Sequence, residues 1–448
     1  MKLYDRSLTQ FTENGKKLTL LSLSGPIFFE FVSVGLLSTI NTLLLSGYSQ
    51  EAIGATGIAS QLIGLISSFL LIPISGLRII LGFELGKNDQ KSAAQVTGTA
   101  FWAVLISSLF AGFLVFLIAR PLLVLMNLEG TPLLMATEYT KIYVAFLFIF
   151  MLKSFFSICL TCNGYTKQSA ISTIITHILN LVLGYIVLYS KIPFPFSGVE
   201  GLAIRAVIAH LAGIAYAVYA FATNKCPFSF SLNGTHLKRL IRIGFPSSMN
   251  GLAYTAGQTI TTSIIASFGI NVVNAKIYVG NITGYVYYFS GSIAQASSII
   301  MGRLKGRGEY EKIHALFRQS LRLAVLLNGI ATIAIFIARK PLLHLFTDVP
   351  EVILLAEIIL FIDIFIELSR GANNICDQSL NANGDVKIVS LTSICACWGI
   401  TVLFSYILGV VLNWGLIGCW IAFAMDELFK TIFYLLRWKS GKWKGRRI

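Results

Sequence analysis

"PIFFEFVSVGLLSTINTLLLSGYS", residues 26–49, is apolar almost throughout, yet it holds a glutamate, Glu30, and an asparagine, Asn41. Coiled as a helix, such a run spans the roughly 30 Å of a bilayer's hydrocarbon, which takes about 20 residues. A carboxylate inside it is costly. Even low estimates put an ion at the centre of a spanning helix at about 2.5–3.5 kcal/mol. Glu30 is therefore expected to face protein or water rather than lipid.

Runs of the same kind recur along the chain. With the first taken as Leu18–Ser46, they continue at Ala52–Leu81, Ala93–Ala119, Leu133–Leu160, Ser169–Tyr189 and Gly201–Ala222. Six more follow at Leu240–Phe268, Ile277–Met301, Ile313–Ala338, Val352–Leu380, Ile388–Leu412 and Gly415–Leu436. Of the 448 residues 55% are hydrophobic and only 12% charged, and the mean hydropathy of +0.75 lies well outside the range of soluble domains. A closed barrel would show short alternating segments, which these are not. The expectation is an all-α integral membrane protein with twelve transmembrane helices.

The net charge of +15 raises the question of nucleic acid, and its distribution answers it. Lys16, Lys17, Lys87, Lys167, Lys238, Arg303, Lys305, Lys387 and the tail "RWKSGKWKGRRI" fall on alternate sides of successive spans. The opposite loops carry little beyond Arg120, Lys191, Arg339 and Lys340. Basic loops stay cytoplasmic, so both termini are placed inside, and the partner of this charge is the lipid bilayer, not nucleic acid. The start, "MKLYDRSLTQFTENGKK", is too polar for a signal peptide, so the first span is expected to remain. The seven cysteines sit mostly within spans and read as small packing residues.

Shifted by 220 positions, the sequence meets its own punctuation. Pro26 falls on Pro246, Gly64 on Gly284, Pro121 on Pro341, Asn163-Gly164 on Asn383-Gly384 and Lys167 on Lys387. An even number of spans gives both copies the same orientation, so two parallel six-helix repeats are predicted. Residues 1–222 form the first lobe, 223–240 a cytoplasmic linker, and 241–448 the second lobe with its basic tail. Two such lobes make a cleft at the membrane midplane that opens to alternate sides, which is a transporter's design. The chain has no HExxH and no GxxxxGK[ST], so neither an enzyme, a resident metal or cofactor, nor ATP-driven pumping is expected.

Charges near span ends, such as Arg78 and Lys276, can snorkel to the interface. The deep set is Glu30, Lys153, Arg205, Asp363, Glu367, Arg370 and Asp377. Helical spacing puts Glu30, Ser33, Ser38 and Asn41 on one face, and their repeat counterparts Asn250, Ala253, Gln258 and Thr261 on another, around Tyr254. Both faces are expected to line the cleft; the bland alternative is polar glue between helices. Pro26 and Pro246 should bend these helices and serve gating. In "FIDIFIELSRGANNICDQSLNANGD", residues 361–385, Glu367, Arg370 and Asn373 stand three apart. Glu367 and Arg370 can pair along the helix, as a ligand site or merely to satisfy each other. Lys153 takes the position equivalent to Asn373, and Asp426 and Glu427, close to Lys430, read as structural or gating.

With these residues in view, the chain resembles the multidrug and toxic compound extrusion (MATE) family over almost its whole length. The carrying motifs are "GPIFFEF", "INTLLLSGYSQEAIGATGIASQ", "GFPSSMNGLAYTAGQ", "GRLKGRGEYEK", "ELSRGANN", "LNANGD", "GLIGCWIAFAMDE" and "RWKSGKW". The resemblance implies twelve helices in two lobes, exporting small, often cationic and amphipathic compounds in exchange for protons or sodium. Glu30, Glu367, Arg370, Asn373, Asp385, Asp426 and Glu427 stand where it leads one to expect those residue types. Three positions depart. Asn41 with Thr42 replaces an aspartate-threonine pair, Gly184 in "NLVLGY" replaces an acid although Asn180 remains, and Arg205 replaces a small residue. A site stripped of two acids and given an arginine should hold sodium poorly, since hard cations need anionic or carbonyl oxygens.

Glu30 then remains the principal carboxylate of the first lobe, free to exchange protons unless Lys153 or Arg205 pairs with it. The expected function is a proton-driven antiporter for small organic compounds, working as a monomer in a bacterial inner (plasma) membrane. The alternatives are a flippase for a lipid-linked saccharide, or an exporter of an anionic metabolite.

Overall fold

The structure is a computed structural model that describes residues 11–13, 16–46, 50–126, 128–189, 198–446 and 448. Lys191 and the side chains of Ser38 and Thr42, all named above, lie outside what it describes. A short antiparallel hairpin, β1 (Phe11–Glu13) with β2 (Lys16–Leu18), precedes the helices. The first half holds α1 (Leu20–Ser46), α2 (Gln50–Leu70), α3 (Ile72–Gly86), α4 (Gln90–Leu125), α5 (Gly130–Ala145), α6 (Leu147–Cys162), α7 (Thr166–Tyr189) and α8 (Gly198–Thr223). The second holds α9 (Gly234–Ala266), α10 (Ile270–Gly306), α11 (Tyr310–Ile337), the short α12 (Arg339–His344) and α13 (Pro350–Ala382). It closes with α14 (Val386–Ala396), which runs on as π-helix through Val411, and α15 (Gly415–Lys439).

Six of these are apolar and long enough to cross a bilayer alone: α1, α4, α7, α8, α11 and the run Val386–Val411. Two bent pairs each read as one span, Gly54–Leu70 with Ile72–Gly86 at 41° and Gly130–Ala145 with Leu147–Cys162 at 51°. The first bend has a local cause. Pro73 sits in the first turn of α3, where its missing N–H costs nothing, whereas within a continuous helix it would break a backbone bond. Four long helices remain, α9, α10, α13 and α15, of 33, 37, 33 and 25 residues, and it is their polar residues that set them apart. Among the described residues the eight apolar spans and these four long helices together make the twelve that the sequence reading expects. Pro26 and Pro246 both lie within helices that run on past them, α1 and α9.

The duplication is visible in the backbone. Subtracting 220 lays α10 on α2 with α3, and α13 on α5 with α6, so the second half runs unbroken where the first half bends. The "NG" turns repeat as well. Asn163 Nδ2 donates to the Cys159 carbonyl and Asn383 Nδ2 to that of Ser379, each at 2.8 Å. Gly164 and Gly384 follow with φ of +84° and +83°, a left-handed conformation in which a Cβ is strained. Each turn thus ends one helix by side-chain capping and starts the next.

The chain forms two compact units, Phe29–Ser248, and Met249–Ile448 with the described residues up to Phe28. Since lipid tails are as apolar as leucine, cohesion inside each unit relies on close packing and polar contacts between helices. In the first, Ser172 Oγ donates to the Gly213 carbonyl at 2.8 Å, tying α7 to α8. In the second, Asn328 Nδ2 reaches both Ser290 Oγ and the Glu367 carbonyl at 3.2 Å, joining α11 to α10 and α13. Six of the seven cysteines are buried, and Cys395 is exposed. Cys159 and Cys162 stand at C-x-x-C spacing, which the reading of the cysteines as packers passed over.

Candidate functional site

In the second unit, α13 and α15 bring together a charged cluster that 54 or more residues of chain separate. Glu367 and Arg370 form an ion pair one turn apart, and Arg370 Nε also lies 3.6 Å from Glu427 Oε1. Lys430 Nζ bonds Asp426 Oδ2 at 2.7 Å and stands 3.6 Å from Glu427 Oε1. Asn373 Nδ2 donates to Glu427 Oε2 at 2.7 Å. One turn further along α13, Asp363 Oδ1 accepts the indole N–H of Trp420 at 3.1 Å. Asp363, Glu367, Asp426, Glu427 and Lys430 are all buried.

Two cavities open on this cluster. One, of about 490 Å³, is lined by Asn250, Tyr254, Arg370, Asn373, Glu427 and Lys430. The other, of about 180 Å³, is lined by Tyr254, Gln258, Lys276, Asp363, Arg370 and Glu427, among others. Of the α9 face chosen by spacing, Asn250 and Gln258 line these cavities with Tyr254, whereas Ala253 and Thr261 are in neither lining, and Thr261 is fully buried with its hydroxyl donating to the Gly257 carbonyl at 2.9 Å. Lys276, expected to snorkel, instead donates to Thr262 Oγ1 and lines the smaller cavity. Asp377, which also lines the larger cavity, apart, the four carboxyls Asp363, Glu367, Asp426 and Glu427 face the three cations Arg370, Lys430 and Lys276, so ionising all four leaves an excess negative charge. Glu367 Oε2 has no hydrogen-bond partner among the described residues, although the residue is fully buried.

Asp385 belongs elsewhere. Only 1% of its side chain is exposed, and it accepts Arg437 Nε and Nη2 at 2.6 and 3.1 Å, with Arg446 Nε at 3.0 Å. These bonds hold the C-terminal tail against the end of α13. There Trp443 stacks on Trp438 with centroids 4.3 Å apart, and Trp438 on Phe317 at 4.1 Å. Lys305 Nζ donates to the carbonyls of Asn383 at 2.8 Å and Trp443 at 3.2 Å. The motif "RWKSGKW" is thus a structural clasp.

The first unit separates the residues that sequence left as alternative partners. Thr173 Oγ1 donates to Glu30 Oε1 at 2.9 Å and accepts from Lys153 Nζ at 2.6 Å, so Glu30 meets Lys153 through a hydroxyl. Arg205 goes to the other end of the face. Its Nη2 donates to Asn41 Oδ1 at 3.2 Å and its Nη1 to the Asn180 carbonyl at 3.1 Å. His177 Nδ1 lies 3.1 Å from Ser33 Oγ. Thr173 and His177 escaped the sequence reading, yet a signal was there: positions 173, 177, 180 and 184 recur at helical spacing and form one face of α7.

A duplicated bundle of spanning helices, with buried charges lining its cavities, defines an integral membrane transporter. The MatE family profile matches residues 26–186 and again 246–407, one match per repeat, and the chain belongs to that family of multidrug and toxic compound exporters. It is 31% identical to the uncharacterized transporter YisQ of Bacillus subtilis, covering 96% of this chain and 95% of that one. A probable multidrug resistance protein NorM of Thermotoga maritima is 23% identical over 96% of this chain and 93% of its own length. Among solved structures, an outward-facing multidrug resistance MATE family transporter of the MOP superfamily superposes with a TM-score of 0.86 at 20% identity, covering 95% of this chain and 96% of that one. The fold is the twelve-helix, two-repeat MATE fold.

Proposed function

We propose that this chain is a proton-driven antiporter that exports small organic compounds by alternating access. It acts as a monomer in a bacterial inner membrane, with both termini in the cytoplasm. The carrying observation is the carboxyl excess of the cluster Asp363, Glu367, Arg370, Asp426, Glu427 and Lys430, on which the cavities of about 490 and 180 Å³ open. Buried carboxylates beyond the number of their cations must be balanced by a proton or a bound cation, because an unpaired buried charge is strongly unfavourable. A cavity beside such groups lets cargo and proton compete for the same charge balance, which is what exchange requires. Relatives named for multidrug resistance support small organic cargo.

The test is uptake into proteoliposomes under separately imposed proton and sodium gradients. Cationic dyes should exchange under the proton gradient alone, and strict sodium dependence would defeat this reading. A second reading, export of an anionic metabolite or flipping of a lipid-linked saccharide, draws on the first unit. There the cations Lys153 and Arg205 outnumber the one deep carboxylate, Glu30. Anionic compounds offered in the same assay separate the two.

A further inference from the structure

Members of this family exchange cargo for protons or sodium, and the residues of the first unit do not fit a sodium ion. The reason lies in how three of its positions interlock. Arg205 is 5% exposed, two turns into the spanning helix Gly198–Thr223. Among the described residues no carboxylate lies within ion-pair distance of it, and its Nε has no hydrogen-bond partner. Its guanidinium is held by two neutral oxygens, Asn41 Oδ1 from α1 and the Asn180 carbonyl from α7. A Cβ on Gly184 would fall 1.5 Å from its Nη1, so the guanidinium lies in room left by the missing side chain. The Asn180 side-chain oxygen is also buried, with no donor among the described residues.

This is the environment of a bound monovalent cation: oxygen donors from separate helices converging on one buried positive charge. Here the charge is covalently attached, and a guanidinium stays protonated at any pH a protein survives. It fills the space and repels a second cation. We propose that Arg205 is a tethered cation that permanently occupies a cation site between α1, α7 and α8, so that no exchangeable metal ion binds in the first unit. Gly184 and Arg205 are then matched residues, and ion exchange is left to the carboxyls. The inference deepens the proton-coupled reading and rests on it for its consequence, but its test reads no transport, so the two can fail separately.

The experiment is thermal unfolding of the purified protein in detergent, in sodium chloride and in choline chloride at equal ionic strength. Gly184→Ala should lower the melting temperature by several degrees in the wild-type background, because the methyl displaces the guanidinium. It should have little effect in Arg205→Ala, where the space is vacant. That non-additivity is the signature of a shared volume. Arg205→Ser replaces Arg205→Ala should the latter not fold. The sodium-induced melting shift should be the same in the wild type and in Asn41→Ala, whereas Asn41→Asp with Arg205→Ala should gain an upshift in sodium. Additive effects of Gly184→Ala and Arg205→Ala would overturn the proposal. So would a sodium-induced upshift of the wild type that Asn41→Ala abolishes, since an exchangeable ion would then occupy the site.

Discussion

Glu30 shows how much a single partner decides. Its carboxylate reaches Lys153 through the Thr173 hydroxyl, so carboxylate, hydroxyl and amine form one chain of hydrogen bonds across α1, α7 and α6. Glu30→Gln keeps the shape and an oxygen for Thr173 while removing the charge. It is expected to fold and insert normally, to retain ligand binding and to lose gradient-driven export. Stability should fall by no more than about 3 kcal/mol, the upper range for a hydrogen bond to a charged group. Because the structure links Lys153, and not Arg205, to this carboxylate, Lys153→Met should restore that loss and Arg205→Met should not. Unchanged export, pH dependence and stability in Glu30→Gln would remove the carboxylate from the mechanism.

At the scale of elements, α13 and α15 depend on each other through buried charge. Lys430 neutralises Asp426 and Glu427 at once, its side chain 6% exposed. Lys430→Met strands Asp426, while Glu427 keeps Asn373 and Arg370 of α13, and should cost about 3–5 kcal/mol, the usual penalty for breaking a buried pair. Adding Asp426→Asn should recover part of it; full additivity of the two would show that the pair is not coupled. The tail carries a different load. Trp443 is completely buried and its N–H donates to the Trp438 carbonyl at 3.0 Å. Trp443→Ala should cost about 3–5 kcal/mol, as large-to-small changes at buried tryptophans do. A melting temperature within a degree of wild type would mean that the clasp holds nothing.

For the whole molecule the testable matter is orientation. A tag fused after Ile448 and one inserted near Thr235 should both be reached from the cytoplasmic side, because basic residues crowd that side of successive spans. An external C-terminus would contradict an even number of spans. The second half departs from the first in one systematic way. Four of its helices, α9, α10, α13 and α15, carry enough polar residues to fall short of the hydropathy of ordinary spans, and all four line its cavities.

The twelve spans, the doubling at 220 residues and the turns at Asn163 and Asn383 were legible in the sequence alone. Each is a local property: hydropathy is summed over a segment, and an Asn-Gly pair shapes its own backbone. The stripe of Asn250, Tyr254 and Gln258 on α9 and the Glu367–Arg370 pair were legible for the same reason, since helical spacing needs no knowledge of neighbours. Which residue meets which was not. Sequence left Lys153 and Arg205 as equal candidates for Glu30, and only the packing of α7 against α1 and α8 sent one to Thr173 and the other to Asn41, 164 residues away in the chain. The fit of Arg205 to the space beside Gly184 was invisible for the same physical reason. A cavity belongs to several helices at once, and no single stretch of chain encodes its volume or its charge balance.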